Sequence, residues 1–379
     1  MGEAVEPFRI EASDADLADL GERLRRTRWP EPEPVDDTSQ GVPLDFVQRL
    51  CAYWEQEYDW RERERRLNAW PQFRTNIDGL GIHFVHARSP EPDATPLLLT
   101  HGWPGSIVEF QKVLGPLTDP VAHGGEADDA FEVIAPSLPG FGFSDKPTET
   151  GWGVERIARA WAVLMARLGH TRYVAQGGDW GSMVTTELAG VDPDHCAGIH
   201  LNMAIALPTE EDLADLTEAE QSALAGFDHY QKWDSGYSKQ QSTRPQTLGY
   251  GLVDSPAGQA AWILEKFWEW TDHDGDPEDV LTRDELLDNV MLYWLPATGA
   301  SSARLYWESF TRQSFAEVTA PTAISVFPGE IFRTSRRWAE RRYTDLRSFT
   351  EVDRGGHFAA FEQPERFVAE VRAAFRTMR

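Results

Sequence analysis

The chain is poor in cysteine, in positive charge and in long apolar runs, and each shortage removes a class of function. Two cysteines, Cys51 and Cys196, stand among 379 residues, with no CxxC spacing. A disulfide framework and a thiolate metal site are excluded. Both thiols read as small buried hydrophobes in a reducing compartment. Lys and Arg number 36 against 62 Asp and Glu, for a formal charge of −26. A phosphate backbone or an anionic membrane repels such a surface unless a basic patch is set aside for it. The densest basic stretch, Arg61 to Arg66, alternates with Glu62 and Glu64 and reads as a solvated helix face. Nucleic acid and membrane are therefore excluded as partners. No run approaches the roughly 18 apolar residues of a membrane span. Met1 to Ile10 lacks the basic and apolar regions of a secretory leader. Gly2 is followed by Glu6 where a myristoylation signal needs Ser or Thr. The expectation is a cytoplasmic protein.

The residues that are present fall into two periodicities. A prior of roughly 150 residues per domain gives two to three units. Residues 1–75 read as a helical, peripheral segment. Ser13 to Asp16 opens a helix with Leu17, Leu20 and Leu24 at helical spacing. Trp29-Pro30 and the Glu-Pro repeat after it end that helix. A second helical stretch runs from Leu44 to Leu67. From residue 76 short apolar runs alternate with helical patterns: Ile82 to Ala87, Pro96 to Thr100, Phe131 to Ala135, Tyr173 to Ala175, Gly198 to Leu201, Thr322 to Phe327 and Ser348 to Val352. Such alternation predicts an α/β fold, a mostly parallel sheet with helices on both faces. Over 206–318 the strand signal vanishes into aromatic-rich helices, which predicts a helical lid over the C-terminal edge of the sheet. The core is thus expected over 76–205 and 319–379.

Four short motifs follow the predicted strands. Gly177-Gly178-Asp179-Trp180-Gly181 has the small-x-nucleophile-x-small spacing of a nucleophile elbow, with Asp179 at the apex. The helix that starts there favours negative charge. His101-Gly102-Trp103-Pro104-Gly105 sits where this fold places an oxyanion loop, so the amides of Trp103 and Trp180 are the expected donors. A cis bond before Pro104 is compatible with that turn. Glu330 follows Pro328-Gly329, and His357 follows Gly355-Gly356. Each motif alone has a bland reading, as a capped turn or a solvated acid. Together they give the order nucleophile, acid, His, each at a strand end, which chance rarely supplies. The other histidines show no zinc spacing. Asp272 to Asp276 has its Gly too early for an EF-hand loop, and reads as an acidic loop before the capping pair Thr282 and Glu285. Neither metal nor cofactor is expected.

An aspartate at the apex changes the chemistry. A Ser needs a base to remove its proton, whereas a carboxylate is already an anion at neutral pH. It can displace at an sp3 carbon to form an alkyl ester, leaving His357, polarised by Glu330, to activate water against that ester. Epoxides and alkyl halides suit this logic; peptides do not.

At this point the sequence resembles a known family, the epoxide hydrolases of the α/β-hydrolase superfamily, in their microsomal-like branch with an N-terminal domain of its own. The resemblance runs from Phe8-Arg9-Ile10 and Leu24-Arg25-Arg26-Thr27-Arg28-Trp29-Pro30 through HGWPGS at 101–106, PSLPGFGFSDKP at 136–147, GGDWGS at 177–182 and DSPAG at 254–258 to RGGHFAAFEQP at 354–364. It implies an α/β-hydrolase fold and hydrolysis of a small-molecule epoxide by water. It also implies two lid tyrosines that hydrogen-bond the epoxide oxygen, Tyr237 and Tyr306 of nine in the chain, and substrate contacts from Trp103, Trp180 and Phe358. Microsomal members begin with a membrane anchor that this sequence does not show, which implies a soluble, bacterial-type member. The aromatic lid suggests a bulky or aryl epoxide, from degradation or natural-product biosynthesis, and a homodimer is compatible with the sequence. The alternatives are a haloalkane dehalogenase, which shares the Asp-Trp-Gly step, and a non-catalytic small-molecule binder on the same fold.

Overall fold

The computed structural model of the protein describes residues 3–310 and 314–378. Gly2 and residues 311–313 of the expected lid lie outside them. Nine strands form one sheet: β1 (Glu6–Phe8), β2 (Gln72–Ile77), β3 (Leu80–Ala87), β4 (Thr95–Thr100), β5 (Phe131–Pro136), β6 (Tyr173–Gly177), β7 (Cys196–Leu201), β8 (Thr322–Val326) and β9 (Leu346–Glu351). Their spatial order is β1-β2-β3-β5-β4-β6-β7-β8-β9. The contacts from β1 to β5 are antiparallel, and those from β5 across to β9 are parallel. Leu97, Leu98, Val133, Ile134, Ala175 and Ile199 are fully buried. Continuous apolar runs are what strands covered on both faces require. Helices Val154–Arg167 and Asp179–Val191 pack on each other; Gln111–Thr118 and Pro364–Arg376 form a second packed pair.

The N-terminal segment departs from its helical expectation. β1 and β2 lie within or across it and extend the sheet by two antiparallel strands. β2 reads Gln-Phe-Arg-Thr-Asn-Ile, too polar to stand out as an apolar run. Its polar groups are satisfied from inside: Gln72 hydrogen-bonds His83 at 2.8 Å and donates to the Leu67 carbonyl at 2.9 Å. Asp78 and Gly79, at φ 52° and 81°, make the two-residue hairpin turn into β3. That Asp-Gly pair was the readable signal. The stretch Leu44 to Leu67 also divides, into helices Leu44–Gln56 and Trp60–Leu67, because Asp59 caps the Glu62 amide and starts a new helix.

Between β7 and β8 every regular element is helical among the described residues. Thr282 and Glu285 form the expected capping box on helix Arg283–Trp294. That helix fastens the lid in two directions. On one side Asp288, with a side chain only 2% exposed, accepts from Tyr58 at 2.8 Å and from Arg63. On the other, Asn289 donates to the Pro104 carbonyl at 2.8 Å and Tyr293 donates to the Gly105 carbonyl at 2.7 Å. Cys51 and Cys196 are buried, and burial pushes both thiols up to about 12. No helix among the described residues is long and apolar enough to cross a membrane.

Replacing Asp288 with Asn leaves the Arg63 guanidinium buried beside an uncharged partner. The variant is expected to lose roughly 3 kcal/mol of stability, read as a lower urea midpoint at unchanged slope. An unchanged midpoint would mean that Asp284, 3.5 Å from Arg63, suffices.

Candidate active site

The sheet delivers the four predicted motifs to one edge. β6 ends at Gly177, and Asp179 opens helix Asp179–Val191 in the left-handed region, at φ 49°. A non-glycine residue there costs of order 1–3 kcal/mol and persists only where its surroundings hold it. The flanking glycines explain how. A Cβ on Gly177 would lie 2.1 Å from the Gly181 carbonyl oxygen, and a Cβ on Gly181 would lie 1.9 Å from that of Thr100. Strand and helix can approach this closely only without side chains, and the turn aims the Asp179 carboxylate off the sheet edge.

Three groups meet that carboxylate or its partner. The Trp103 amide, after β4, donates to Asp179 Oδ1 at 2.7 Å. His357 Nε2, after β9, lies 3.5 Å from Oδ2. His357 Nδ1 pairs with Glu330 Oε1, after β8, at 2.6 Å. The Trp103–Pro104 peptide bond is cis. The Trp180 amide, in the first turn of helix Asp179–Val191, makes no hydrogen bond to the carboxylate. Burial alone would depress the imidazole of His357, but the charges of Glu330 and Asp179 outweigh it and hold it well above its usual range. Burial raises the Glu330 carboxyl, against the pull of His357.

The helical region between β7 and β8 supplies the opposite wall. Trp103 stacks on Tyr237 with ring centroids 4.9 Å apart, and Trp180 meets Tyr306 edge-on at 4.8 Å. Burial, reinforced by neighbouring phenols and Asp179, raises both phenols well above 10 and keeps them protonated. The Tyr306 hydroxyl makes no hydrogen bond of ordinary geometry with the described residues. Asp179, Trp180, Tyr237 and Tyr306 bound a cavity of about 250 Å³, otherwise walled by Met, Ile, Leu and Phe side chains together with Tyr230 and Gln231. Phe358, expected at the substrate, is placed elsewhere. It stacks on Phe267 at 4.1 Å, behind His357 and off the cavity wall.

Two family models match the chain. One described as "Epoxide hydrolase N terminus" matches residues 5–110, and one described as "alpha/beta hydrolase fold" matches residues 95–231. A putative epoxide hydrolase of Stigmatella aurantiaca is 57% identical over 99% of this chain and 86% of its own length. This chain belongs to the epoxide hydrolase family. Epoxide hydrolase 1 of Sus scrofa is 38% identical over 98% of this chain and 88% of its own. Among solved structures, the juvenile hormone epoxide hydrolase of Bombyx mori matches with a TM-score of 0.91 at 33% identity, covering 99% of this chain and 95% of that one. The Aspergillus niger epoxide hydrolase matches at 0.90 and 33%, covering 99% and 97%.

Several residues around the family's site escaped the sequence reading. Tyr230 places its hydroxyl 3.0 Å from that of Tyr237 and is pushed up to about 12 by burial. Glu362 accepts the amides of Asp272, Gly356 and Phe358, which fixes the turn that carries His357. Lys266 lies over the Tyr237 ring at 4.8 Å and pairs with Asp234, which also accepts from the Trp270 indole. These are contacts across the lid and core, and no local motif announces them. One group has metal-ligand spacing among the described residues, His86, Glu132 and His170. It was hidden because its members lie on three elements. It sits at the opposite end of the strands from Asp179, with His86 and Glu132 already hydrogen-bonded at 2.5 Å.

Gly102 tests the geometry directly, since a Cβ there would fall 2.0 Å from Asp179 Oδ1. Gly102→Ala is expected to keep a native far-ultraviolet spectrum while turnover falls about 100-fold, the cost of displacing a reacting group by roughly 1 Å. Turnover within a few-fold of wild type would show that the carboxylate need not sit where it does.

Proposed function

We propose that this enzyme opens an epoxide to a vicinal diol in two steps through an ester on Asp179. The observation that carries the reading is a carboxylate, not a hydroxyl, at the apex of the elbow, with His357 Nε2 3.5 Å away on one side and two buried phenols across the cavity. In the first step an Asp179 oxygen attacks an epoxide carbon. The carbon–oxygen bond of the ring breaks, and the departing oxygen takes a proton from Tyr237 or Tyr306. Two phenols held protonated by burial suit that role, because alkoxide is the stronger base.

Ester formation removes the negative charge of Asp179. His357 then loses one of the two carboxylates that raise it, so Nε2 gives its proton to solvent and can act as base, and it takes a proton back from solvent once Asp179 is an anion again. In the second step water attacks Asp179 Cγ and gives a proton to His357, whose ring Glu330 orients. The tetrahedral oxyanion is stabilised by the Trp103 amide, already 2.7 Å from Oδ1, and by the Trp180 amide beside it. Collapse expels the diol oxygen, which takes the proton from His357. The second water proton, released as Asp179 re-ionises, restores the phenol through solvent.

The aromatic walls of the cavity favour a bulky or aryl epoxide, with Trp180 and the two tyrosines as its nearest contacts and Trp103 packed on Tyr237 off the cavity wall. The division into segment 1–75, core 76–205 and 319–379, and lid 206–318 accompanies this reading, with β2 shared between segment and core. Cytoplasmic residence and a homodimer belong to the same proposal.

Two measurements test the mechanism. A first turnover in heavy-oxygen water should place unlabelled oxygen in the diol, because that atom comes from Asp179. His357→Gln should build up the ester, seen as a mass increase equal to the epoxide, while hydrolysis slows at least about 100-fold. Solvent label in the first-turnover diol would replace the ester with direct attack by water.

A further inference from the structure

We propose that Glu109 seats the hydrolytic water, in a small chamber whose wall shares Asp179 with that of the substrate cavity. The inference rests on the ester mechanism above and adds to it where the water stands and what orients it.

The first support is the separation of two spaces. The substrate cavity is bounded by Asp179, Trp180 and the tyrosines. A second space of about 20 Å³ lies beneath the oxyanion loop, bounded by Trp103, Gly105, Glu109, Asp179 and His357. Asp179 is the one described residue common to both walls. The phenols thus face one space and the base faces the other. On this measure a single water needs roughly 10–15 Å³, together with two or more polar partners. The chamber holds one water and not a substrate.

The second support is how Glu109 reaches it. The residue lies on the short 3-10 helix Ile107–Phe110, whose other members are buried apolar side chains. Its carboxyl occupies the place where a side chain on Gly105 would be: a Cβ there would fall 1.5 Å from Glu109 Oε1. The carboxyl accepts from the Ser106 amide, and His357 and Asp179 are the charges that act on it most strongly. No cation pairs with it among the described residues. Burial pushes it up to about 8, so at neutral pH it is mostly the neutral acid, whose carbonyl oxygen still accepts a hydrogen bond.

A water attacking Cγ must direct a lone pair at that carbon and one proton at His357 Nε2. Its other proton needs an acceptor, and Glu109 supplies it. The water oxygen bonds to Cγ, the first proton passes to His357, and the second stays on the oxygen, held by Glu109. The attack then comes from the chamber while the alcohol portion remains in the cavity, so hydrolysis does not wait for the cavity to empty.

Rapid-mixing kinetics on the full chain, with an aryl epoxide that the wild type turns over, separate the two steps. Tryptophan fluorescence follows ester formation and intact-protein mass follows its loss. Glu109→Ala should form the ester within about 3-fold of wild type and hydrolyse it about 30-fold or more slowly. Gly105→Ala, which expels the carboxyl without removing it, should show the same split, and covers the case in which the first variant fails to fold. Glu109→Gln keeps a carbonyl acceptor and should hydrolyse within about 5-fold of wild type. Hydrolysis at the wild-type rate in Glu109→Ala, equal slowing of both steps, or Glu109→Gln as slow as Glu109→Ala would overturn the assignment. If His357→Gln forms no ester, the covalent mechanism itself fails, and the water seat fails with it.

Discussion

Four carboxyl groups share the buried surroundings of one imidazole, and the site is built around that imbalance. An unpaired buried charge is far too costly to keep, so each acid needs its own solution. Asp179 takes an amide and the imidazole. Glu330 takes the other ring nitrogen. Glu362 takes three backbone amides at 2.8–3.0 Å, although burial still lifts it to about 7. Glu109 has no such set, and burial pushes it up to about 8, toward the neutral acid. His357 is held protonated by this company. Any change that neutralises Asp179 therefore disturbs the whole group at once.

The fold delivers these groups because strand ends are fixed by backbone pairing rather than by side chains. Trp103, Asp179, Glu330 and His357 follow β4, β6, β8 and β9 in turn. Their register is set by ladders that run through fully buried apolar strands. The glycines at 177 and 181 then allow an approach that any side chain would forbid. Precision at the edge of the sheet is therefore a property of its interior.

That dependence explains which parts could be read from the sequence. The core strands announce themselves because burial on both faces demands unbroken apolar runs. The elbow, the oxyanion loop and the Gly-Gly-His turn announce themselves because close backbone contact demands glycine. β2 stayed hidden because Gln72 and Thr75 are buried polar residues whose partners, on β3 and near the N-terminus, lie outside any local window. Tyr237 and Tyr306 could be named only through the family resemblance, since nothing local separates them from the other tyrosines. Phe358 is expected at the substrate from the resemblance, yet successive residues in a turn point different ways, and it stacks on Phe267 in the core instead. Glu109 and Glu362 look like ordinary acids until tertiary structure closes over them.

The two-sided grip of helix Arg283–Trp294 divides the lid into a frame and a palette. The helix ties the N-terminal segment to the oxyanion loop through Asp288, Asn289 and Tyr293. The lid side chains that shape the cavity come from other parts of it, among them Phe227, Gln231 and Phe310. Exchanging those residues recolours the pocket without loosening the loop that meets the nucleophile. A lineage built this way can wander among epoxides of different shape while the reaction itself stays constant.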